Sequence, residues 1–198
     1  MTQIYVAGIA MTVFGRHPER SLEDLAGEAL IRALADAGCT APQIGVAYYS
    51  GMTNGTLQGQ ISIPGQVIFS KIGIEGIPVY NVENACASGS SAFNLAVQSL
   101  KAGTTDVALA IGAEKMNIPD KAKAFAIFEG GWDVSRAEQN AVTLLKMGEG
   151  VTPPPGTTSD KPYSKFMDIY AAFCRWHMKT YGTTQRQIAA ICAKNHQH

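Results

Sequence analysis

Cysteine, histidine and lysine carry most of the reactive chemistry available to this chain, and one cysteine stands apart by its surroundings. Cys86 lies in the stretch Asn81-Val82-Glu83-Asn84-Ala85-Cys86-Ala87-Ser88-Gly89-Ser90-Ser91. Before it, Ile77 to Val82 has the apolar, β-branched character of a short buried strand. After it, Ala92, Phe93, Leu95, Ala96, Val97 and Leu100 read as one helix, ended by Gly103. A thiol at such a strand-to-helix turn meets unpaired backbone N–H groups and the positive end of the helix dipole, which favour an anion. The thiolate is the nucleophilic form of cysteine. The small residues Ala85, Ala87, Ser88 and Gly89 leave room for a carbonyl to approach the sulfur. Serines and glycine also open helices with no chemistry attached, so this spacing fits a buried core thiol as well as a nucleophile.

The elements that must hold Cys86 in place follow from the hydrophobic pattern. Gln3 to Ile9 reads as a buried strand, with a turn through Gly15 and Pro18 behind it. Ser21 caps a helix that has Asp24 at its third position, a capping box with an acid one carbon short. That helix puts Leu22, Leu25, Ala26, Leu30 and Leu34 on one face and ends at Gly38. Ile44 to Ser50 reads as a strand, Gly51 to Gly65 as a polar, glycine-rich loop, and Gln66 to Lys71 as a short helix. With Asp106 to Met116 as a last strand, the order is β-α-β-α-β-α-β, which argues for a parallel sheet with helices on its faces. Beyond Met116 the periodicity fades and turn-formers gather, among them Gly130-Gly131 and Pro153-Pro154-Pro155-Gly156. A long irregular stretch, here 117 to 165, is usually functional when it sits inside a compact domain. Residues 166 to 181 and Thr184 to Asn195 return to helix. The expectation is an α/β domain at 1–116 and an irregular, partly helical domain at 117–198.

Bulk properties narrow the function. A chain of 198 residues with 46% hydrophobic content can bury a sizeable core in one domain with a substantial excursion. Sixteen basic and sixteen acidic residues give no net charge, so nucleic-acid binding has no electrostatic support. The four cysteines are scattered, with no C-x-x-C or metal-ligand spacing, and read as reduced thiols with no metal site. The start MTQIYVAGIAMTVFG lacks the basic opening and long apolar core of a signal peptide. No apolar run approaches the roughly 20 residues that cross a bilayer. A soluble, cytoplasmic protein with no membrane span is expected.

Two motifs, in order and at a matching separation, carry a family likeness. VENACASGSSA, with its helix ending in Ala-Gly, and then ALAIGAEKM resemble the thiolase superfamily, within it the sterol-carrier-protein-type thiolases. His177-Met178-Lys179-Thr180-Tyr181-Gly182 and Lys194-Asn195-His196 resemble the HMxxYG and KNH segments of the same group. The resemblance covers nearly all of this chain but about half of a thiolase. It implies an α/β thiolase-like layered fold, half of an αβαβα arrangement, in which residues 117–198 are the loop domain that covers the active site and binds coenzyme A. It implies that the substrate acylates Cys86, with Ser88, Gly89, His177 and Met178 as substrate contacts; Lys161 is expected to join them by meeting coenzyme A phosphates. No cofactor would be covalently bound; coenzyme A would be a substrate. The implied reaction is acyl transfer on a 3-oxoacyl-CoA, by thiolysis or the reverse condensation. Implied partners are a second copy in a homodimer or higher oligomer, a second-half thiolase chain, and a zinc-ribbon/OB-fold acyl-CoA-binding subunit.

The sequence departs from that pattern in two places. Glu83 stands where these thiolases usually carry asparagine, and Ala171, Ala172 and Phe173 replace a small Gly-Asn-Ala segment, so Phe173 is expected to reshape the acyl pocket. Plainer readings stand beside the functional ones. His177 on an amphipathic helix is an ordinary core or surface histidine, Lys161 an ordinary exposed lysine, and Phe125, Phe128 and Trp132 packing for the second domain. Retro-aldol cleavage of a CoA ester, or a non-catalytic acyl-CoA- or lipid-binding scaffold subunit, are the alternative functions. The absence of a G-x-S-x-G after a strand disfavours an α/β-hydrolase.

Overall fold

Val46–Ser50 (β1) is the strand on which the first part of the chain is built, and all five of its residues are buried. Val46, Tyr48 and Tyr49 suit a strand with cover on both faces. In the computed structural model, which describes residues 3–152, 155–156 and 164–197, β1 is paired in parallel on both sides. Val79–Val82 (β2) joins one edge, with Ala47 opposite Val79 and Ser50 opposite Val82. Ala108–Gly112 (β3) joins the other, with Val46 opposite Ala108 and Ser50 opposite Gly112. The sheet order is β2-β1-β3.

Helices cover both faces of this sheet. On one face Leu22–Ala37 (α1) and Pro64–Lys71 (α3) bring Leu22, Ala26, Leu30, Ile68 and Phe69 against Ala47 and Tyr49. On the other, Ser88–Lys101 (α4) seats Ala92 and Ala96 on Val46 and Tyr48. Two alanines on the contact face let α4 lie close to the strands. The result is one helix–sheet–helix sandwich, the α/β layering expected for half of a thiolase-like fold. The predicted capping box is present: the Asp24 N–H donates to Ser21 Oγ at 3.0 Å, and the Ser21 N–H donates to Asp24 Oδ2 at 2.8 Å. Gly38 closes α1 with a left-handed φ of 64°.

Four expectations need correction. Gln3 to Ile9 is not a buried strand: it joins none of β1, β2 and β3 and lies instead against α1, where a Cβ on Gly8 would stand 2.3 Å from the Ala33 carbonyl oxygen. Tyr5, Val6 and Ile9 are exposed, and the Ile9 N–H donates to Asp36 Oδ2 at 2.9 Å. This segment forms one wall of an apolar cavity of about 590 Å³, whose other walls come from α1, α4 and β3. The strand before Cys86 is shorter than Ile77–Val82 and only partly covered. It sits at the sheet edge while α4 lies mainly over β1 and β3. Tyr80 is 52% exposed even though it stacks on Tyr48 at 5.2 Å. The loop from Gly51 to Gly65 contains a short helix, Asn54–Gln58 (α2), and α3 begins at Pro64. Residues 117 to 165, read as irregular, hold two helices, Lys121–Ala126 (α5) and Ala137–Lys146 (α6), with tight turns between them.

The chain divides into two compact units, Met1–Ala124 and Phe125–His198. In the second, α6 packs against Lys165–Tyr181 (α7). Gly148 allows the approach, since a Cβ there would lie 2.8 Å from Ala172 Cα. Ala172 is fully buried, and the Phe173 ring meets Tyr170 edge-on at 5.8 Å. Phe128 and Trp132 contact Phe166, at 6.3 Å and 4.8 Å. Ser164 caps α7, and Gly182 ends it with a left-handed φ of 71°. Gln185–His196 (α8) follows with a Thr184/Gln187 capping box. Pro153, Pro154, Lys161 and His198 lie outside the described residues. Among the described residues no helix is long and apolar enough to cross a membrane.

Candidate active site

The site begins where β2 ends. The chain passes Glu83 and Asn84 and makes a single 3₁₀ turn, Ala85–Ala87, that runs directly into α4. Side chains fix this elbow. The Ala85 N–H donates to Glu83 Oε1 at 2.6 Å, and the Asn84 N–H donates to Ser88 Oγ at 2.8 Å. The Ser88 hydroxyl donates in turn to the Ala85 carbonyl at 2.7 Å, and Asn84 Nδ2 donates to Ser91 Oγ at 2.9 Å. Ala85 has a left-handed backbone, φ 46°, which is uncommon outside glycine. Cys86 emerges from this turn exposed.

A cavity of about 280 Å³ opens in front of the thiol. Cys86, Ser88 and Gly89 form one side, Ser50 and Gly51 at the end of β1 another, and Gly112, Ala113 and Glu114 beyond β3 a third. It lies at the carboxyl ends of parallel strands, the usual place for ligands in open α/β sheets. Two residues set its shape. A Cβ on Gly112 would stand 2.5 Å from Ser50 Oγ and 2.9 Å from the Ser50 carbonyl oxygen, so the strands can meet here only through glycine. Glu114 pins the loop after β1, with Oε1 accepting from the Met52 N–H at 2.6 Å and the Thr53 N–H at 3.1 Å.

Among the described residues Glu114 is also the only charged side chain on the cavity wall, and no histidine, lysine or arginine lines it. Behind the wall, buried Tyr49 accepts from Asn54 Nδ2 at 2.5 Å and donates to the Ala113 carbonyl at 2.8 Å. Burial pushes the Tyr49 phenol up to about 12; the Asn54 bond opposes this, and the nearby Glu114 charge adds to it. The arrangement offers a reachable thiol, small-residue walls and one carboxylate. A thiol in this setting has room for a carbonyl to approach it, and among the described residues no imidazole stands beside it.

The remaining sequence-predicted residues lie elsewhere. His177 and Met178 are on α7 in the second unit. The His177 Nδ1 lies 2.8 Å from Thr183 Oγ1, with its ring 4.7 Å from that of Tyr181. The Met178 carbonyl accepts the Gly182 N–H that closes the helix. Lys161 falls outside the described residues. Of the three residues that share the cavity, Ser88 has its hydroxyl engaged by the elbow's backbone. Gly89 is not required by space, since a Cβ there would meet Ser50 Oγ only at an ordinary 3.9 Å. Ser50, Gly112 and Glu114 are the lining residues that sequence reasoning missed. Ser50 carried a signal of position, at the end of the stretch Ile44 to Ser50 read as a strand; Gly112 and Glu114 fell inside the stretch Asp106 to Met116, whose strand ends at Gly112.

Comparison with known proteins identifies the family. The profile of the family described as "Thiolase, N-terminal domain" matches residues 4–198. Human sterol carrier protein 2 is 32% identical over 201 residues, covering 100% of this chain and 33% of that protein. The acetyl-CoA acetyltransferase of Methanothermobacter thermautotrophicus is 30% identical over 200 residues, covering 100% of this chain and 45% of that protein. The chain thus spans between a third and a half of these relatives. Among solved structures, OleA from Xanthomonas campestris aligns with a TM-score of 0.47 at 21% identity, over 56% of this chain and 32% of that one. The acyltransferase ChlB3 aligns with a TM-score of 0.48 at 20% identity, over 84% of this chain and 53% of that one. With its cysteine elbow at the mouth of a parallel sheet and the family profile matched from residue 4 to residue 198, this chain belongs to the thiolase family.

Proposed function

We propose that the chain supplies the nucleophile for a thiolase-type acyl transfer on a 3-oxoacyl-CoA, with Cys86 as the residue acylated. The observation that carries this reading is the exposed Cys86 thiol, held by a hydrogen-bonded elbow at the mouth of a small-walled cavity in a member of the thiolase family. In the cleavage direction the thiolate adds to the 3-keto carbon. The bond between carbons 2 and 3 then breaks, its electron pair leaves as the enolate of acetyl-CoA, and that enolate takes up a proton. The shortened acyl group remains on Cys86 as a thioester. The thiol of free coenzyme A loses its proton, attacks that thioester and releases the cysteine. Condensation runs the same bonds in reverse.

Both proton steps need an acid–base group. Glu114 already holds two backbone N–H groups with one carboxylate oxygen. The base is therefore expected from protein beyond this wall, in the part of its relatives that the chain does not span. The same reading proposes Ser88 and Gly89 as substrate contacts, Lys161, His177 and Met178 as coenzyme A contacts, and residues after 116 as the loop domain. It also proposes a cytoplasmic assembly as a homodimer or higher oligomer, completed by a second-half thiolase chain and joined by a zinc-ribbon/OB-fold acyl-CoA-binding subunit.

The test is to acid-quench the protein, together with its completing polypeptide, during turnover of a 3-oxoacyl-CoA and to map acyl adducts by mass spectrometry. An adduct on the Cys86 peptide is expected, absent from Cys86→Ala. Turnover should fall by a factor on the order of a million, as for removal of a covalent nucleophile in well-studied hydrolases. Normal turnover by Cys86→Ala would overturn covalent thiolase chemistry in favour of retro-aldol cleavage.

A further inference from the structure

The residue immediately before Cys86 is held in an unfavourable conformation, and one exposed side chain accounts for much of that hold. Ala85 sits at φ 46°, where its Cβ crowds the following carbonyl, a cost that glycine does not meet. Two side chains brace it. On the acceptor side, buried Ser88 donates to the Ala85 carbonyl at 2.7 Å. On the donor side, the Ala85 N–H donates to Glu83 Oε1 at 2.6 Å, a charge-assisted bond of the stronger kind. Glu83 is itself exposed and fills no core. Among the described residues the ion pairs are Arg20–Glu28, Arg32–Glu28 and Lys71–Glu23, none of which involves it. The bond to Ala85 is what its carboxylate does.

We infer that Glu83 is a positioning residue: its carboxylate holds Ala85 left-handed and so fixes Cys86 at the head of α4, facing the cavity formed with Ser50, Gly112 and Glu114. The inference rests on the reading of Cys86 as the acyl-accepting thiol, but its test needs no turnover. The carboxylate on the cavity wall, Glu114, reaches it from beyond β3 and is engaged with Met52 and Thr53, so it does not substitute for Glu83 at the elbow.

The experiment is alkylation of the folded 198-residue chain with iodoacetamide, with the Cys86 peptide quantified against the Cys39 peptide in the same digest. Glu83→Gln keeps an acceptor oxygen at the same reach and should label Cys86 within twofold of the wild type. Glu83→Ala and Glu83→Met lose the acceptor, and Cys86 labelling should drop about five- to thirtyfold, the factor that corresponds to the cost of a left-handed alanine. Adding Ala85→Gly to Glu83→Ala should restore labelling, because glycine takes a positive φ freely. A role in general stability would not give that rescue. Labelling of Glu83→Ala within twofold of wild type, or a double variant as slow as Glu83→Ala, would overturn the assignment. Should Glu83→Ala fail to fold by circular dichroism, recovery of fold and labelling in the double variant supports the assignment, and failure to recover overturns it. If the acyl adduct never forms on wild-type Cys86, the acyl-transfer reading falls while this labelling result stands.

Discussion

Two hydroxyls close to the cavity show how much of a thiol site is made by groups that hold the backbone around it. Ser88 bridges the backbone on either side of the elbow, and Tyr49 ties α2 to the chain just past β3 through Asn54 and the Ala113 carbonyl. Tyr49 also gives a test by pH. Its phenol is raised to about 12 in the folded chain, above the ordinary value of 10, chiefly by burial. Between those values the unfolded chain has released the proton that the folded chain keeps. The stability this group contributes is therefore present below pH 10 and lost as pH rises toward 12. Urea midpoints should fall across that window in the wild type. Tyr49→Phe should lose that part of the fall. It should also cost about 1–3 kcal/mol at neutral pH, because the Asn54 amide and the Ala113 carbonyl are left unpaired. A Tyr49→Phe curve parallel to wild type from pH 9 to 12 would show that the phenol does not titrate as described.

At the scale of elements, the spacing of β1 and β3 rests on Gly112. Gly112→Ala would drive a methyl group into the Ser50 carbonyl and hydroxyl, and backbone cannot move aside as a flexible side chain can. Overpacking of this kind typically costs about 1–3 kcal/mol, and chemical denaturation should show a loss in that range. The same variant should displace Glu114, and with it the loop at Met52 and Thr53. Helix ends are the part of this fold most legible in the sequence, because Ser21, Gly38 and Gly182 act within one turn of the helices they bound. Strand pairing is less legible. The pattern of Gln3 to Ile9 suits a strand as well as that of Val79–Val82 does. What separates them is tertiary: Val79–Val82 pairs with β1 while Gln3 to Ile9 lies on α1 through Gly8, and no local signal records it. The helix Ala137–Lys146 is missed for a related reason. Its apolar stripe of Ala141, Leu144 and Leu145 is short, and it becomes meaningful only against Ala172 and its neighbours on α7.

For the whole molecule, the elbow around Cys86 is legible because Asn84-Ala85-Cys86 and the serines after it are contiguous. Ser50 and Glu114 are not, since only the parallel pairing of distant strands brings them to the same cavity. The described residues also leave large apolar side chains in the open. Phe93 is 50% exposed on α4 and Ile31 68% exposed on α1, and Val142 and Ile191 are exposed in the second unit. Extended apolar exposure marks interfaces when it exceeds a few hundred square ångström. The assembly proposed above, by self-association or with a second-half thiolase chain, would bring such side chains together under cover. Light scattering at increasing concentration should give a mass above 21.0 kDa. A monomer that persists across a wide concentration range would count against it.

The double-sided pairing of β1 has a further consequence, in how the cavity breathes. The ladder extends past both ends of the strand: the Gly45 N–H donates to the Val107 carbonyl at 2.9 Å, and the Gly51 N–H reaches the Val82 carbonyl at 3.4 Å. A strand hydrogen-bonded on both edges and buried throughout exchanges its amide protons only when the domain opens as a whole. The Ser50 side of the cavity should therefore be its slowest-exchanging part, while Glu83 and Ala85 hang from β2, a strand with one free edge. Amide exchange followed by mass spectrometry should find β1 among the last segments of the first unit to take up deuterium, with β2 well ahead of it. Equal rates would mean that the unit opens as one body. The expected order makes β1 the most rigid wall of the site, the one against which the elbow's own hydrogen bonds hold the thiol.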